Sequence, residues 1–307
     1  MRKSLSGCVL LLWMATPAWA QNPAPTAIDH KQFLEAAAKD LRWHEPADPV
    51  RVIGSIYFVG TQGLSSWLMT TPEGHILLNT GMSDSGPLIE ASIRKLGFHP
   101  GDIKLLLTCH AHIDHVGGHA HIKQISNCQV VSMREEAALL QSGGKSDFQY
   151  SRVAEFQFAK VTPDRLIRDG DTVQLGGVTL TAHLTPGHTQ GTTTWVMQAT
   201  EDGNTYTVVF PDGTGINPGY RLVKQPSYPT IAEDYRRTFQ VLGDLKPDIW
   251  LTPHPEACDF AAKRKRVETE GVRAWVDPDG YQQWFKARRD KFQASIESES
   301  KILGVDK

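Results

Sequence analysis

The segment "LLLTCHAHIDHVGGHAH" (residues 105–121) places five of the chain's 12 histidines and one aspartate within seventeen residues. Imidazole and carboxylate are ordinary zinc ligands, and neutral rings gain little from crowding unless something sits between them. His110 and His112 are two apart, so at an extended strand end their side chains point to one side. Asp114 and His115 follow, and the paired Gly117 and Gly118 then allow the chain to turn sharply. Four donors this close do not fit one tetrahedral ion. Two neighbouring ions, each completed from elsewhere, accommodate them. His188 in "TPGHT" and His254 in "LTPHPE" are the outside candidates, each in a turn after an apolar run, where functional residues gather. His119 and His121 fall on the opening turn of a helix and His183 inside a strand; none of the three is expected to bind metal. His30, His44, His75 and His99 lack partners in sequence. A helical His-Glu-x-x-His site is excluded, because no glutamate lies in the cluster.

These residues need a framework that brings strand ends together. From Val50 onward, "RVIGSIYFVG", "SSWLMTTPEG" and "HILLNTG" read as short strands divided by Gly and Pro. Residues 85–98 have apolar residues at helical spacing, with Ser and Pro at the start and Gly near the end. "IKLLLT" reads as a buried strand running into the histidine cluster, and "CQVVSM" as another, followed by a helix from near Arg134. The second half repeats the plan: a hairpin around Gly176 and Gly177, strands "TTTWVMQA" and "YTVVFPDG", a helix near residues 231–242, and a last strand "DIWLTPH". The reading is an α/β fold of two similar β-rich halves with helices outside, four layers in all, in one domain over residues 21–307. The charge-rich tail at residues 280–307 is expected as a surface helix.

Composition narrows the function classes. The 32 Lys+Arg nearly balance the 34 Asp+Glu, and no basic run is long enough to suggest a nucleic-acid surface. Arg2 and Lys3 precede the apolar run "CVLLLWMAT", which ends in "AWA" before Gln21. That is the layout of a secretory signal peptide at residues 1–20, with cleavage after Ala20. The run is about half the roughly 20 apolar residues a membrane span needs. The mature chain is therefore expected in the periplasm or secreted, with no membrane partner. Cys109, Cys128 and Cys258 remain after cleavage. Cys109 ends one strand and Cys128 begins the next, so in parallel strands they lie at opposite ends and no bridge between them is expected.

"HAHIDH", "TPGHT", a strand ending "FPDG" and "LTPHPE" together resemble the metallo-β-lactamase superfamily. The run from "VGTQGLSSWLM" to "HAHIDHVGG", with "NPGYRL" at residues 217–222, is similar to its third subclass of zinc β-lactamases. The likeness covers about residues 43–285. It implies a four-layer αββα sandwich with two Zn2+ in a shallow groove between the halves. One ion would take His110, His112 and His188, the other Asp114, His115 and His254. The implied activity is zinc-dependent hydrolysis of the β-lactam amide bond of penicillins, cephalosporins and carbapenems. It would act through water activated on the metal and confer antibiotic resistance. Asp114 would also orient the water and so be catalytic; the small β-lactam is the implied partner, and the chain is expected to be a monomer.

Three positions bear on the resemblance. Relatives usually have a serine after "FPD" that helps hold the substrate carboxylate; here Gly213 stands there, and Thr214 is the nearest hydroxyl and the candidate substrate contact. Asn79 replaces a common aspartate. Asp212 is a candidate metal bridge, as in glyoxalase-II-like members. Competing readings are another hydrolase on the same scaffold, such as a lactonase or thioesterase, and a non-enzymatic periplasmic zinc-binding protein. Six ligands divided three and three leave each ion one position open, which favours catalysis.

Overall fold

The computed structural model describes residues 28–302; the export signal read at residues 1–20 lies outside them. A helix α1 (His30–Asp40), which the sequence reading did not include, opens the described chain, its first turn capped by the Asp29 carboxylate accepting from the Gln32 N–H. β1 (Val50–Ile53), β2 (Ile56–Phe58), β3 (Trp67–Thr71) and β4 (Gly74–Leu78) then form an antiparallel run. α2 (Ser85–Lys95) crosses to β5 (Ile103–Leu107), and the one-turn α3 (Ile113–Val116) and α4 (His119–Ser126) lead to β6 (Gln129–Met133). A 3₁₀ turn at Arg134–Glu136 opens the helix expected near Arg134 and passes into α5 (Ala137–Ser142), before β7 (Arg165–Ile167). The seven strands pair in sequence order, with β4 to β7 parallel.

The second sheet is built from β8 (Thr172–Leu175), β9 (Val178–Leu184), β10 (Thr193–Glu201), β11 (Asn204–Phe210) and β12 (Ile249–Trp250). Its order is β12-β11-β10-β9-β8, with the expected hairpin between β8 and β9. α6 (Ile231–Asp244) separates β11 from β12, and α7 (Phe260–Glu270) and α8 (Pro278–Ile302) close the described chain.

The layering follows from alternation. Leu105 and Leu107 face inward on β5 and join Trp67 and Ile76 against Trp195, Leu180 and Phe210 of the other sheet. Leu106, between them, faces outward with Leu77 and Val130 onto Ile89 and Ile93 of α2 and Ile122 of α4. β4 and β5 are covered on both faces, which is why they read as nearly unbroken apolar runs. On the other side, α6 and α8 share a cluster of Tyr235, Phe239, Phe285 and Phe292, and α8 touches β12. This is the αββα sandwich.

The C-terminal helix lies at the surface with one face packed inward, since Tyr281, Phe285 and Phe292 are buried while most of its other positions are exposed or half-buried. Near its far end the Glu299 carboxylate accepts from the backbone N–H groups of Leu222 and Val223. One expectation, the role of the glycine pair, is corrected: the pair is required for closeness rather than for turning, since Gly117 and Gly118 have ordinary right-handed backbones. A Cβ on Gly117 would lie 2.4 Å from the Ser83 nitrogen, and one on Gly118 2.7 Å from the Thr80 oxygen. Cys109, Cys128 and Cys258 are all free and buried, and the parallel pairing of β5 and β6 keeps Cys109 and Cys128 at opposite ends.

Candidate metal centre

Parallel strands bring their C-terminal ends to one edge. The loop after β5 carries His110 to His115, the loop after β9 carries His188, the loop after β11 carries Asp212, and the loop after β12 carries His254. Two bonds pin the sheets together beside this edge: Thr193 N–H donates to the Cys109 carbonyl at 2.7 Å, and the Trp195 indole N–H to Thr108 at 3.1 Å.

His110, His112 and His188 each offer a ring nitrogen to one small volume, the three lying within 4.8 Å of one another. His112 Nδ1 and His188 Nε2 are 3.1 Å apart, and His110 Nε2 is buried with no partner. Each ring's other nitrogen is occupied: His110 Nδ1 by the Asp212 Oδ2 at 2.6 Å, His112 Nε2 by the Asp147 Oδ2 at 3.2 Å, and His188 Nδ1 by the Gly215 carbonyl at 2.9 Å. Fixing the far nitrogen sets the tautomer and aims the near one. Burial, then the charge of His112, lowers His188 to about 3, and burial with the neighbouring rings holds His110 well below its ordinary value. Both rings are thus kept in the neutral form that binds metal.

The second group adjoins the first. Donor atoms of Asp114 and His115 also lie within 4.8 Å of His110. Asp114 Oδ2 is 3.0 Å from His115 Nε2 and 3.5 Å from His254 Nε2, so His254 stands slightly apart. Neither nitrogen of His115 makes a hydrogen bond. His254 Nδ1 faces the Gly63 backbone without a well-formed bond. Burial works against the Asp114 charge, but the imidazoles of His115, His254 and His112 outweigh it and hold the carboxylate well below its usual range. Buried, unpartnered ring nitrogens converging beside an ionised carboxylate are a donor set that fits zinc.

The remaining residues find clear places. His119 spans the hydroxyls of Thr80 (2.7 Å) and Thr108 (2.8 Å), and with both nitrogens taken it is not a ligand. His183 lies within β9 and His121 pairs with Glu90, so neither enters the clusters. Asp212 has one oxygen on His110 and accepts from the Gly213 N–H with the other at 2.7 Å. In this arrangement it orients the His110 ring. Burial pushes its carboxyl up to about 6. Asn79 has a left-handed backbone (φ 61°), which asparagine tolerates, and its Oδ1 accepts from the Cys109 N–H at 2.9 Å. It thereby fixes the chain one residue before His110.

Sequence reasoning missed Glu136 and Asp147. Buried Glu136 accepts from the Ala111 N–H between two of the histidines, from the Thr189 hydroxyl (2.8 Å) and from the Gly191 N–H (2.9 Å) beyond His188. One carboxylate thus ties the loops after β5 and β9 together. Asp147 accepts from the N–H groups of Gln149 and Tyr150 with the oxygen that does not face His112. Neither residue has a motif that announces it; a glutamate at the buried start of an apolar helix was the one available signal for Glu136.

A cavity of about 190 Å³ opens over the cluster, lined by His110, His188, Asp212, Thr214, His254 and Arg288 among others. A second of about 230 Å³, lined by His112, Asp114, Phe33 and Leu34, is walled by α1. Thr214 therefore lines the groove. Gly213 has φ +99°, and a Cβ there would lie 2.2 Å from the Thr185 carbonyl. The backbone that seats Asp212 leaves no room for a serine.

The family model of the metallo-β-lactamase superfamily matches residues 59–254. The chain belongs to the metallo-β-lactamase superfamily. Among solved structures, the native FEZ-1 metallo-β-lactamase from Legionella gormanii is 40% identical, with a TM-score of 0.81, covering 83% of this chain and 98% of its own. BJP-1, a subclass B3 metallo-β-lactamase of Bradyrhizobium japonicum, is 35% identical with a TM-score of 0.80, covering 87% and 99%. Among curated sequences, a hydroxyacylglutathione hydrolase of Rhodopseudomonas palustris (strain BisB5) is 25% identical over 215 residues, 66% of this chain and 72% of that protein. The similarity to third-subclass enzymes read from the sequence thus extends over the whole fold. The chain is a hydrolase of this superfamily, and the His110, His112 and His188 cluster fits a zinc site.

Proposed function

We propose that the protein is a zinc β-lactamase of the third subclass, exported from the cytoplasm, that opens the β-lactam ring of penicillins, cephalosporins and carbapenems. The observation that carries the reading is the gathering of all six donors at one groove, in a chain whose near-full-length structural relatives at 35–40% identity are β-lactamases. His110, His112 and His188 would hold one Zn2+, and Asp114, His115 and His254 the other. Zinc bound there supplies a Lewis acid and lowers the pKa of water to about 7. The chain's own residues do the rest. Asp114, kept ionised, accepts a hydrogen bond from the attacking water and orients it. His188 and His254 stay neutral. Phe33, Leu34 and Trp43 offer apolar surface to the substrate's side groups, and Thr214 a hydroxyl to its polar edge.

A thioester hydrolase is the second reading, supported by the hydroxyacylglutathione hydrolase match. Against it stand the near-full-length β-lactamase relatives, and Asp212 faces His110 and the Gly213 N–H. The deciding experiment is hydrolysis of a carbapenem and a cephalosporin by the chain from Gln21, with zinc and then with a chelator, beside a glutathione thioester. Turnover of the β-lactams, abolished by chelation and restored by zinc, is expected. Turnover of the thioester alone would overturn the assignment.

A further inference from the structure

The groove over the cluster contains a single Lys or Arg among the described residues lining its two cavities, and that residue comes from α8. On this helix Tyr281, Phe285 and Phe292 form the buried stripe, and the Tyr281 hydroxyl donates to the Leu242 carbonyl at 2.7 Å. Glu299 ties the far end to the backbone of Leu222 and Val223. The helix is therefore fixed in both position and rotation. Trp284 and Arg288 stand one turn apart, i and i+4, on the side facing the cavity that also contains His110, His188 and Thr214.

Arg288 is half-buried and uncommitted. Its neighbours on the helix are engaged: Lys286 pairs with Asp290, and Arg289 lies over the Phe285 ring. Glu256 also lines the cavity, close enough that Arg288 offsets part of the rise that burial causes in its carboxyl, yet the two make no ion pair. A partly desolvated guanidinium with no internal partner is suited to a planar anion that it can grip with two N–H groups. The position after Asp212, meanwhile, is closed to a serine by the backbone at Gly213. The groove thus has no serine hydroxyl after Asp212, and its one guanidinium comes from α8.

We infer that Arg288 is the specificity-determining anchor for the substrate's carboxylate, with the Thr214 hydroxyl beside it. This deepens the β-lactamase reading and rests on it, because intact β-lactams carry a carboxylate next to the scissile ring. The anchor comes from a helix outside the 59–254 span of the family match.

The test measures equilibrium binding of a mercaptocarboxylic acid and of its methyl ester to the zinc-loaded full chain, for wild type, Arg288→Ala and Arg288→Lys. Wild type should prefer the acid over the ester by about 10- to 100-fold, as a charged hydrogen-bonded contact supplies. Arg288→Ala should lose most of that preference while binding the ester as before, and Arg288→Lys should keep part of it. No acid preference in wild type, or the same preference in Arg288→Ala, would overturn the assignment. Cephalosporin turnover by wild type is followed alongside. Turnover without acid preference defeats the role of Arg288 alone; acid preference without turnover leaves Arg288 as a carboxylate anchor and defeats the β-lactam reading.

Discussion

In the His110, His112 and His188 group every ring has its far nitrogen committed, to Asp212, Asp147 and the Gly215 carbonyl. In the Asp114, His115 and His254 group no ring does, and His254 is the most exposed of the histidine donors, with 31% of its side chain accessible. The protein matrix alone pre-organises the first group, whereas the second is a set of donors waiting for something to draw them together. Outer partners, rather than the ligands themselves, mark the difference. If two ions bind, the first group should hold its ion more tightly.

The largest effect should come from the looser group, where the catalytic carboxylate lies. Asp114→Asn is expected to lower β-lactam turnover by about 10²–10⁴-fold while the three-histidine group still binds an ion. Steady-state kinetics beside metal analysis separates the two, and unchanged turnover would remove Asp114 from the mechanism. Next, converting the tight group into a loose one should cost metal affinity. Asp147→Asn or Asp212→Asn leaves His112 or His110 with a weaker outer partner, and the first ion should bind about 10- to 100-fold less tightly. Competition with a chromophoric chelator measures this; loss of the second ion only would reverse the comparison.

Glu136→Ala attacks the tie between the loops. It strands the buried N–H groups of Ala111 and Gly191 and leaves the Thr189 hydroxyl only Thr192 as a partner. Each buried group left unpaired costs about 1–3 kcal/mol, so metal-free stability should fall by several kcal/mol, with Glu136→Gln losing less. Denaturant unfolding with chelator present is the check, and an unshifted midpoint would make the clamp incidental.

The smallest effect is the pH response of the metal-free chain. Burial, first, and neighbouring rings hold His188 at about 3 and His254 at about 4, against 6.5 ordinarily. Below pH 6.5 the unfolded chain takes up protons at these rings that the folded chain refuses, so stability falls as pH drops towards 4. Burial lowers His119 to about 3 and His110 well below its ordinary value, which adds to the loss, whereas Asp212, raised from 3.8 to about 6, and the raised His112 and Glu136 oppose it. The urea midpoint should be lower at pH 5 than at pH 7.5; an equal or higher one contradicts the sign.

Much of this was legible in the sequence because donors at strand ends leave local marks: His-x-His-x-Asp-His after an apolar run, and turn histidines beside Pro and Gly. The strands β4, β5 and β6 were legible for the same reason, as short apolar runs between breakers. What escaped depends on partners far along the chain. Asp147 is 35 residues from His112, and Glu136 is 53 from Thr189. On α8 the stripe Tyr281, Phe285, Phe292 was present at helical spacing, but the charges between them gave the whole tail the look of a solvated surface. The glycine pair was marked correctly and explained wrongly, since crowding by Ser83 and Thr80 is invisible in one dimension.

The most direct single measurement is a zinc titration of the metal-free chain, with bound ions counted by native mass spectrometry while cephalosporin turnover is followed in the same samples. Two ions should bind per chain, the first at least about tenfold more tightly than the second, with β-lactam turnover appearing as zinc is added. Two ions of equal affinity, a single ion even at saturation, or full occupancy without turnover would contradict it.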